Sequence, residues 1–162
     1  MKIEYVFNGK SQGKLHFGAR KNAGEDGLTF GFTNQVSCYC GFGGSTLYRS
    51  CKVNTVDESK HTVALSNEIF TIDDISQTQP ERETFKNFYD IYLFTWNNAN
   101  TPDAREFVGR AYDFKIYDRD VLIQHLVPVL DSNNTPCMFD KITQKFYYNC
   151  GTGDFLYGEK ES

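Results

Sequence analysis

Apolar residues recur at every second position in several stretches of this chain. The alternation runs from Val36 to Phe42 and again through residues 112–117. Because successive side chains of a strand point to opposite faces of a sheet, this spacing predicts strands with one face toward a core. In the second stretch we expect Phe114 and Ile116 to point inward. No stretch has the spacing of an amphipathic helix over even three turns, which predicts little or no helix.

Short apolar runs separated by polar or glycine-rich turns predict a series of strands. The runs lie at residues 6–7, 15–19, 28–32, 36–42, 47–53, 61–65, 69–72, 89–96, 109–117, 121–129, 136–139, 146–149 and 154–157. Asn8-Gly9 is typical of a hairpin turn, so the first two runs are expected to pair. Tyr89–Trp96 is nearly all apolar, as expected for a strand covered on both faces. Residues 73–88 are polar and contain Pro80, which predicts a surface loop. Together these strands predict an all-β sandwich or barrel.

The composition is that of one domain rich in aromatic residues. The chain has 162 residues, of which 15% are aromatic. That length suits one domain, which we expect over residues 1–158, with a frayed tail at residues 159–162. The net charge is -4 and Lys and Arg are scattered, which argues against nucleic-acid binding. No apolar run is long enough for a membrane-spanning helix and no secretory signal is visible, so membrane insertion is not expected.

The five cysteines are irregularly spaced, at Cys38, Cys40, Cys51, Cys137 and Cys150. Cys38 and Cys40 would project from the same face of a strand two residues apart, which is a poor geometry for a disulfide. We therefore expect reduced cysteines that pack as small hydrophobic residues. The chain has no Cys-x-x-Cys pair and its three histidines are far apart, so a zinc site is not expected.

The C-terminal half contains aromatic and apolar segments that resemble a known family. The segments are Phe114-Lys115-Ile116-Tyr117-Asp118, Val121-Leu122-Ile123, Leu126-Val127-Pro128-Val129, Met138-Phe139-Asp140-Lys141, Lys145-Phe146-Tyr147-Tyr148-Asn149 and Gly151-Thr152-Gly153-Asp154-Phe155. Together they resemble the closing strands of concanavalin A-like (laminin-G-like) jelly rolls of bacteriophage and prophage virion proteins and of bacterial surface proteins. The resemblance covers residues 3–157 and is strongest from residue 89 onward. It implies a two-sheet antiparallel jelly-roll sandwich with little or no helix.

The residues of these segments also have physical roles of their own. Pro128 is expected to end a strand or to lie at an edge, where no hydrogen-bond donor is needed. Phe139, Phe146 and Tyr148 are expected to pair across a hairpin, where an aromatic pair contributes roughly 0.2–1 kcal/mol. These roles stabilise the fold and indicate no catalysis.

The family usually has a further N-terminal strand before the one matched here by Ile3–Phe7, and this chain has no counterpart to it. An unfilled sheet edge invites pairing with another chain. We therefore expect self-association or docking on a larger assembly such as other virion subunits.

Catalytic chemistry is not indicated. Glucanases of the same fold class carry a Glu-x-Asp-x-x-Glu array along one strand, and the chain has none. Its closely spaced carboxylates, at Asp57-Glu58, Asp73-Asp74, Glu81-Arg82-Glu83 and Asp118-Arg119-Asp120, lie in predicted turns. Nucleophile-elbow, phosphate-loop and dinucleotide motifs are also absent from the sequence. We therefore expect that the protein is not an enzyme.

Carbohydrate binding is the function that the residue types favour. Aromatic rings stack on sugar C–H faces, while amides and acids bind the hydroxyl groups. The candidate ligand-binding residues at one strand end and its loop are Trp96, Asn97, Asn98 and Asp103, with Tyr39 and Tyr92 as extensions. The alternative is that Trp96 belongs to the core. The alternation cannot decide which set of Tyr89–Trp96 faces inward, because both sets are apolar.

The resemblance implies two alternative functions. The first is a non-catalytic decoration, fibre or tail-tip module that adheres to host-surface carbohydrate, displayed on the virion surface or on a bacterial surface. The second is a structural capping or cementing module that binds no sugar. No cofactor is expected, although jelly rolls of this kind sometimes bind calcium at their rim, for which Asp26, Asp103 and Asp118 are the candidate ligands.

Overall fold

The described part of the chain folds mainly into β strands. The structure is a computed structural model that describes residues 1–21, 27–43, 47–79, 89–151 and 154–158. The strands are β1 (Lys2–Gly9), β2 (Leu15–Arg20), β3 (Gly27–Asn34), β4 (Ser37–Phe42), β5 (Leu47–Ser50), β6 (His61–Ser66), β7 (Ile69–Ile72), β8 (Ile75–Thr78), β9 (Tyr92–Leu93), β10 (Asn97–Asn98), β11 (Thr101–Pro102), β12 (Gly109–Asp118), β13 (Val121–Leu130), β14 (Pro136–Asp140) and β15 (Lys145–Tyr147). These ranges contain no helix, which confirms the predicted all-β class, and hence no helix able to cross a membrane.

The strands form two sheets. The first sheet has eight strands in the order β15-β14-β13-β12-β1-β6-β7-β8, and every neighbouring pair is antiparallel. The second sheet has seven strands in the order β11-β10-β2-β3-β4-β5, with β9 paired to β2. In the second sheet β10 runs parallel to β2. The strand β1 is central in the first sheet because β12 and β6 pair with its two sides, so no open edge lies beside it.

A core rich in aromatic residues lies between the two sheets. Alternate residues of β1 are almost fully buried, and Tyr5 of this strand contacts Phe17 of the second sheet at 5.6 Å between ring centroids. Phe17 also contacts Phe114 of β12 at 5.1 Å. Phe114 and Ile116 are both buried in this core, as the alternation predicts. Burying each such side chain stabilises the fold by about 1.5–3 kcal/mol.

An irregularity in β2 brings two successive side chains into the core. The register in which β2 pairs with β3 shifts between Leu15 and Phe17. A shift of this kind marks a bulge, which adds one residue to a strand. As a result His16 and Phe17 both contact core rings; the His16 ring lies 4.7 Å from that of Phe7 and 4.1 Å from that of Phe107. Burial lowers the pKa of His16 well below its usual value, so this imidazole is a neutral part of the core.

The predicted hairpin at Asn8-Gly9 is wrong. Both residues belong to β1, and β1 and β2 lie in different sheets. Gly9 pairs with Gly109 of β12, and a Cβ atom on Gly9 would collide with the carbonyl oxygen of Thr55. The glycine therefore permits a close approach of two backbones at this position, and it forms no turn.

Three further segments differ from the prediction. Within residues 73–88, Asp73 and Asp74 form a tight turn, with Asp73 at a φ of 50°, and β8 pairs with β7 beyond it; residues 80–88 lie outside the described ranges. The expected strand Tyr89–Trp96 is interrupted, because Phe94 has a φ of 71° that strands do not allow. Residues 154–157 form no strand. The predicted tail at residues 159–162 also lies outside the described ranges.

Several local predictions are confirmed. Pro128 lies where β13 pairs with β14 alone, since β12 pairs with β13 only up to Leu126. Phe139 and Phe146 pair across the β14–β15 hairpin with ring centroids 4.9 Å apart. Tyr148, which is predicted to join the same pairing, instead stacks on Phe146 of its own side at 6.4 Å. All five cysteines are free, and all except Cys150 are buried.

Candidate binding site

The second sheet has an outer face, opposite to the core, that is built from small residues. Residues paired across neighbouring strands share a face. Since Phe17 faces the core, Gly18 and Arg20 of β2 face outward, together with their partners Thr29 and Gly27 of β3. The outward face of these two strands carries few large side chains. This leaves room for another residue to lie flat against the backbone.

Trp96 occupies this room. It is only 1% exposed, and its indole Nε1 donates a hydrogen bond of 2.8 Å to the carbonyl oxygen of Phe30 in β3. The Arg20 guanidinium lies over its ring at 4.6 Å, the Arg105 guanidinium at 5.9 Å, and Tyr39 contacts it edge-on at 5.6 Å. Trp96 is therefore a buried residue, as the alternative expected. It lies beneath two cations on the outer face and is not part of the main aromatic cluster.

A network of charged and amide groups surrounds the Trp96 indole. Arg105 donates from Nε to Oδ1 of Asp103 and from Nη2 to Oδ2, both at 3.0 Å. The Asn98 Nδ2 donates to Asp103 Oδ2 at 3.2 Å, while its Oδ1 accepts a hydrogen bond of 2.6 Å from Arg20 Nε. The hydrogen bonds from Arg105, with smaller help from Asn98, lower the pKa of Asp103 to about 2. Asp103 is therefore ionised at neutral pH.

Asn97 does not belong to this outer surface. Its side chain is fully buried; Nδ2 donates to the Asp90 carbonyl oxygen at 2.9 Å, and Oδ1 accepts from the backbone N–H of Asn100 at 2.6 Å. The bond from Asn100 holds the turn after β10, where Ala99 and Asn100 have φ values of 48° and 68°. The bond to Asp90 ties β10 to the segment before β9. Asn97 therefore positions the loop and is shielded from any ligand.

The pairing of β9 shows which side chains of Tyr89–Trp96 point inward. Leu93 pairs with Phe17 on the core side, whereas Tyr92 pairs with Gly18 on the outer face. Ile91 and Leu93 pack against the core, and so does Phe94 of the other set, at the residue whose positive φ interrupts the strand. Tyr92 is half-buried and shares the face of Trp96.

We call Arg20, Tyr39, Tyr92, Trp96, Asn98, Asp103 and Arg105 the Trp96 patch. Five of the six residues that the sequence singles out belong to it, and Asn97 does not. Arg20 and Arg105 also belong to the patch but are not predicted from the sequence. Arg105 follows Asp103 by two residues, a spacing that allows an ion pair, but nothing in the local sequence connects Arg20 with Trp96.

The three candidate calcium ligands do not form one site in the described part of the chain. Asp26 lies outside the described ranges. Asp103 is engaged by Arg105 and Asn98, whereas Asp118 is exposed at the end of β12 in the first sheet. Among the described residues no group of three His, Cys, Asp or Glu side chains lies close enough to hold a metal ion.

A second polar cluster surrounds His61, which the sequence suggests is an ordinary scattered residue. His61 is 4% exposed, and its Nε2 lies 3.1 Å from Oδ1 of Asp57 while its Nδ1 lies 3.0 Å from Oδ2 of Asp73. Asp73 also accepts the backbone N–H of Thr62. These contacts join the segment before β6 to the turn between β7 and β8, so we assign them a structural role.

No protein-family model, curated protein or solved structure matches this chain. The function must therefore be inferred from the two sheets and the Trp96 patch.

Proposed function

We propose that this protein is a non-catalytic adhesion module that binds host-surface carbohydrate through the Trp96 patch. The observation that carries the proposal is the convergence of Tyr39, Tyr92, Asn98 and Asp103 on one outer face around Trp96. Rings that offer an apolar surface next to amide and acid groups are what sugar recognition requires. Trp96 and Arg20 serve as the base of the site, and the half-buried tyrosines serve as its stacking surfaces.

The proposed setting is the surface of a phage or prophage virion, or of a bacterial cell. We further propose that the two sheets form a jelly-roll sandwich of the concanavalin A-like class. Two facing sheets with almost entirely antiparallel pairing and a shared aromatic core support this assignment. The resemblance of residues 114–155 to virion proteins of that class supports the setting.

The state of Asp103 supports a non-catalytic role. A general acid in glycoside hydrolysis must hold a proton near neutral pH, whereas Arg105 holds the pKa of Asp103 at about 2. In the described ranges Asp103 is the single carboxylate of the patch, and a hydrolase of the common type needs two. Its two oxygens already accept four hydrogen bonds, three from Arg105 and one from Asn98, so Asp103 orients these neighbours.

The test is a glycan array followed by titration of the array hits against variants. We expect Tyr92→Ala and Asn98→Ala each to weaken binding by about 1 kcal/mol or more, which is about fivefold in Kd, because each removes a direct contact. Tyr117→Ala is the matched control, since Tyr117 lies on β12 in the first sheet. An array without hits, or binding that is unaffected by both patch variants, would refute the proposal.

A structural capping or cementing role is the second candidate, and exposed apolar residues favour it. Phe146, Tyr147 and Tyr148 at the edge of the first sheet are 47%, 43% and 48% exposed, and Leu156 is 95% exposed. Exposed apolar groups of this kind are typical of surfaces that another protein covers. This role predicts self-association in light scattering that Phe146→Ser abolishes, together with an absence of glycan binding.

A further inference from the structure

The Trp96 patch contains two cationic side chains, Arg20 and Arg105, and one anionic side chain, Asp103. Arg105 uses two of its donors in a bidentate pair with Asp103. Arg20 donates from Nε to the neutral amide of Asn98. Within the described part of the chain Arg20 has no carboxylate partner. Counted over these three described side chains, the patch is positive on a protein whose net charge is -4.

Arg20 is held in place although no carboxylate of the described residues forms an ion pair with it. Its guanidinium lies over the Trp96 ring at 4.6 Å, and the short bond from Nε to Asn98 Oδ1 fixes one edge of the group. Asn98 is in turn oriented by Asp103, which accepts a hydrogen bond from its Nδ2. Among the described residues the one hydrogen bond of Arg20 comes from Nε, so its two terminal nitrogens are available as donors from a rigid base. A partly buried cation of this kind gains most from an anionic partner, because part of its hydration has already been lost.

The geometry favours a singly charged, planar anion. A guanidinium presents two parallel N–H groups, which match the two oxygens of a carboxylate. Asp103 lies on the other side of the Asn98 amide and repels additional negative charge. A sulfate or phosphate group with higher charge would face more of this repulsion than a carboxylate would.

We propose that Arg20 binds the carboxylate of an acidic sugar, so that the Trp96 patch selects saccharides containing uronic or sialic acid over neutral ones. This inference rests on the proposed function, because it names the class of carbohydrate bound at the same site. Besides its own contact with the sugar, Asn98 positions Arg20, and the tyrosine rings contact the sugar ring that carries the carboxylate.

The experiment compares two oligosaccharides that differ at one group. The first ends in glucuronic acid, and the second ends in glucose, which has a hydroxymethyl group in place of the carboxylate. Trp96 is the only tryptophan of the chain, so a change in its fluorescence reports binding at this patch. We expect the acidic sugar to bind about tenfold to a hundredfold more tightly, the range for bidentate hydrogen bonds between charged groups. Raising the salt concentration should reduce this preference.

Variants of Arg20 identify the group responsible. Arg20→Gln should abolish the preference, so that the two sugars bind with equal affinity; a loss of the contacts that they share lowers both affinities alike. Arg20→Lys keeps the charge but lacks the planar pair of donors, so it should retain part of the preference. Arg110→Gln is the matched control, because it removes the same charge from β12 in the first sheet. Thermal unfolding of each variant verifies that it is folded.

The possible outcomes distinguish a failure of the acidic-sugar inference from a failure of the proposed carbohydrate binding. Equal affinity of the wild-type protein for the two sugars, or a preference that survives Arg20→Gln, overturns the acidic-sugar inference and leaves adhesion intact. Tighter binding of a sulfated analogue than of the glucuronic acid compound also overturns it. If neither sugar binds and the glycan array gives no hit, the proposed function is overturned as well.

Discussion

Arg20 and Arg105 both lie against the indole of Trp96, yet their electrostatic surroundings differ. A cation over an indole face contributes about 0.5–2 kcal/mol, and both residues make this contact. The charge of Arg105 is neutralised by Asp103, whereas that of Arg20 is not. At the residue scale this asymmetry explains why we assign ligand binding to Arg20 and a supporting role to Arg105.

Stability at acidic pH tests the pair of Asp103 and Arg105. The pKa of Asp103 is about 2 in the folded protein, below the value of 3.8 for a free side chain. The ionised carboxylate therefore stabilises the fold above about pH 4, and this contribution disappears as the pH falls from about 4 to about 2. Asp103→Asn should cost about 1 kcal/mol at pH 6, after allowance for the solvent exposure of Arg105. The cost should shrink over the same acidic range.

The measurement is urea unfolding followed by circular dichroism at several pH values. Asp118→Asn is the control, since this carboxylate lies exposed at a turn and its replacement should leave stability within about 0.5 kcal/mol at every pH. A constant difference between wild type and Asp103→Asn from pH 6 to pH 2 would contradict the assignment.

At the scale of single elements, β2 connects the core to the candidate site. One face of β2 contributes Phe17 to the core and the other face presents Arg20. One edge pairs with β3, and the opposite edge pairs with β9 antiparallel and with β10 parallel. The two short strands β9 and β10 thereby place Tyr92 and Asn98 on the outer face beside Arg20.

The close approach of β2 and β3 depends on Gly31. A Cβ atom on this residue would lie 2.8 Å from the carbonyl oxygen of Lys14 and 2.9 Å from the Cα of Leu15, and neither backbone atom can move freely. We therefore expect Gly31→Ala to lower the free energy of unfolding by about 1–3 kcal/mol, the usual cost of overpacking.

Denaturant titration measures this cost, and Gly158→Ala provides the comparison. The added methyl group of Gly158→Ala would lie 3.6 Å from the Arg110 guanidinium, an ordinary van der Waals contact. Its effect should stay within about 0.5 kcal/mol. Equal stabilities of the two variants would show that β2 and β3 do not approach as described.

At the scale of the whole molecule, burial is uneven across the first sheet. The central strand β1 contributes Ile3, Tyr5 and Phe7 to the core, with at most 2% exposure. The edge strand β15 is exposed at all of its residues. Local opening requires less free energy where few apolar contacts are broken. The stability of the molecule is therefore expected to fall from β1 toward β15.

Native-state hydrogen exchange tests this gradient. We expect the amides of β1 to exchange at least about a hundredfold more slowly than those of β15 in dilute solution. Repeating the measurement at high protein concentration tests self-association, which remains a prediction. Protection of β15 that increases with concentration would identify this edge as the contact, in agreement with the tendency of open sheet edges to pair. Equal protection of β1 and β15 in dilute solution would contradict the gradient.

Much of the candidate site follows from the sequence, because its aromatic, amide and acid residues cluster between Tyr92 and Asp103. Their orientation does not follow. Asn97 and Asn98 are adjacent and chemically identical, yet only the second faces outward, since the pairing of β10 with β2 decides which one does. The contribution of Arg20 depends on the same pairing, which joins segments far apart in the chain.

The sequence by itself determined that this protein is all-β, since alternation is a local property that each strand carries within itself. The positions of most strands, the inward side chains of β12 and the free cysteines were determined in the same way. Only the tertiary structure decided that β1 and β2 belong to different sheets and that Trp96 lies under two arginines. Those outcomes depend on which strands pair and on how closely their backbones approach. Segments that are far apart in the chain compete for these pairings, and the packing of the whole core decides among them.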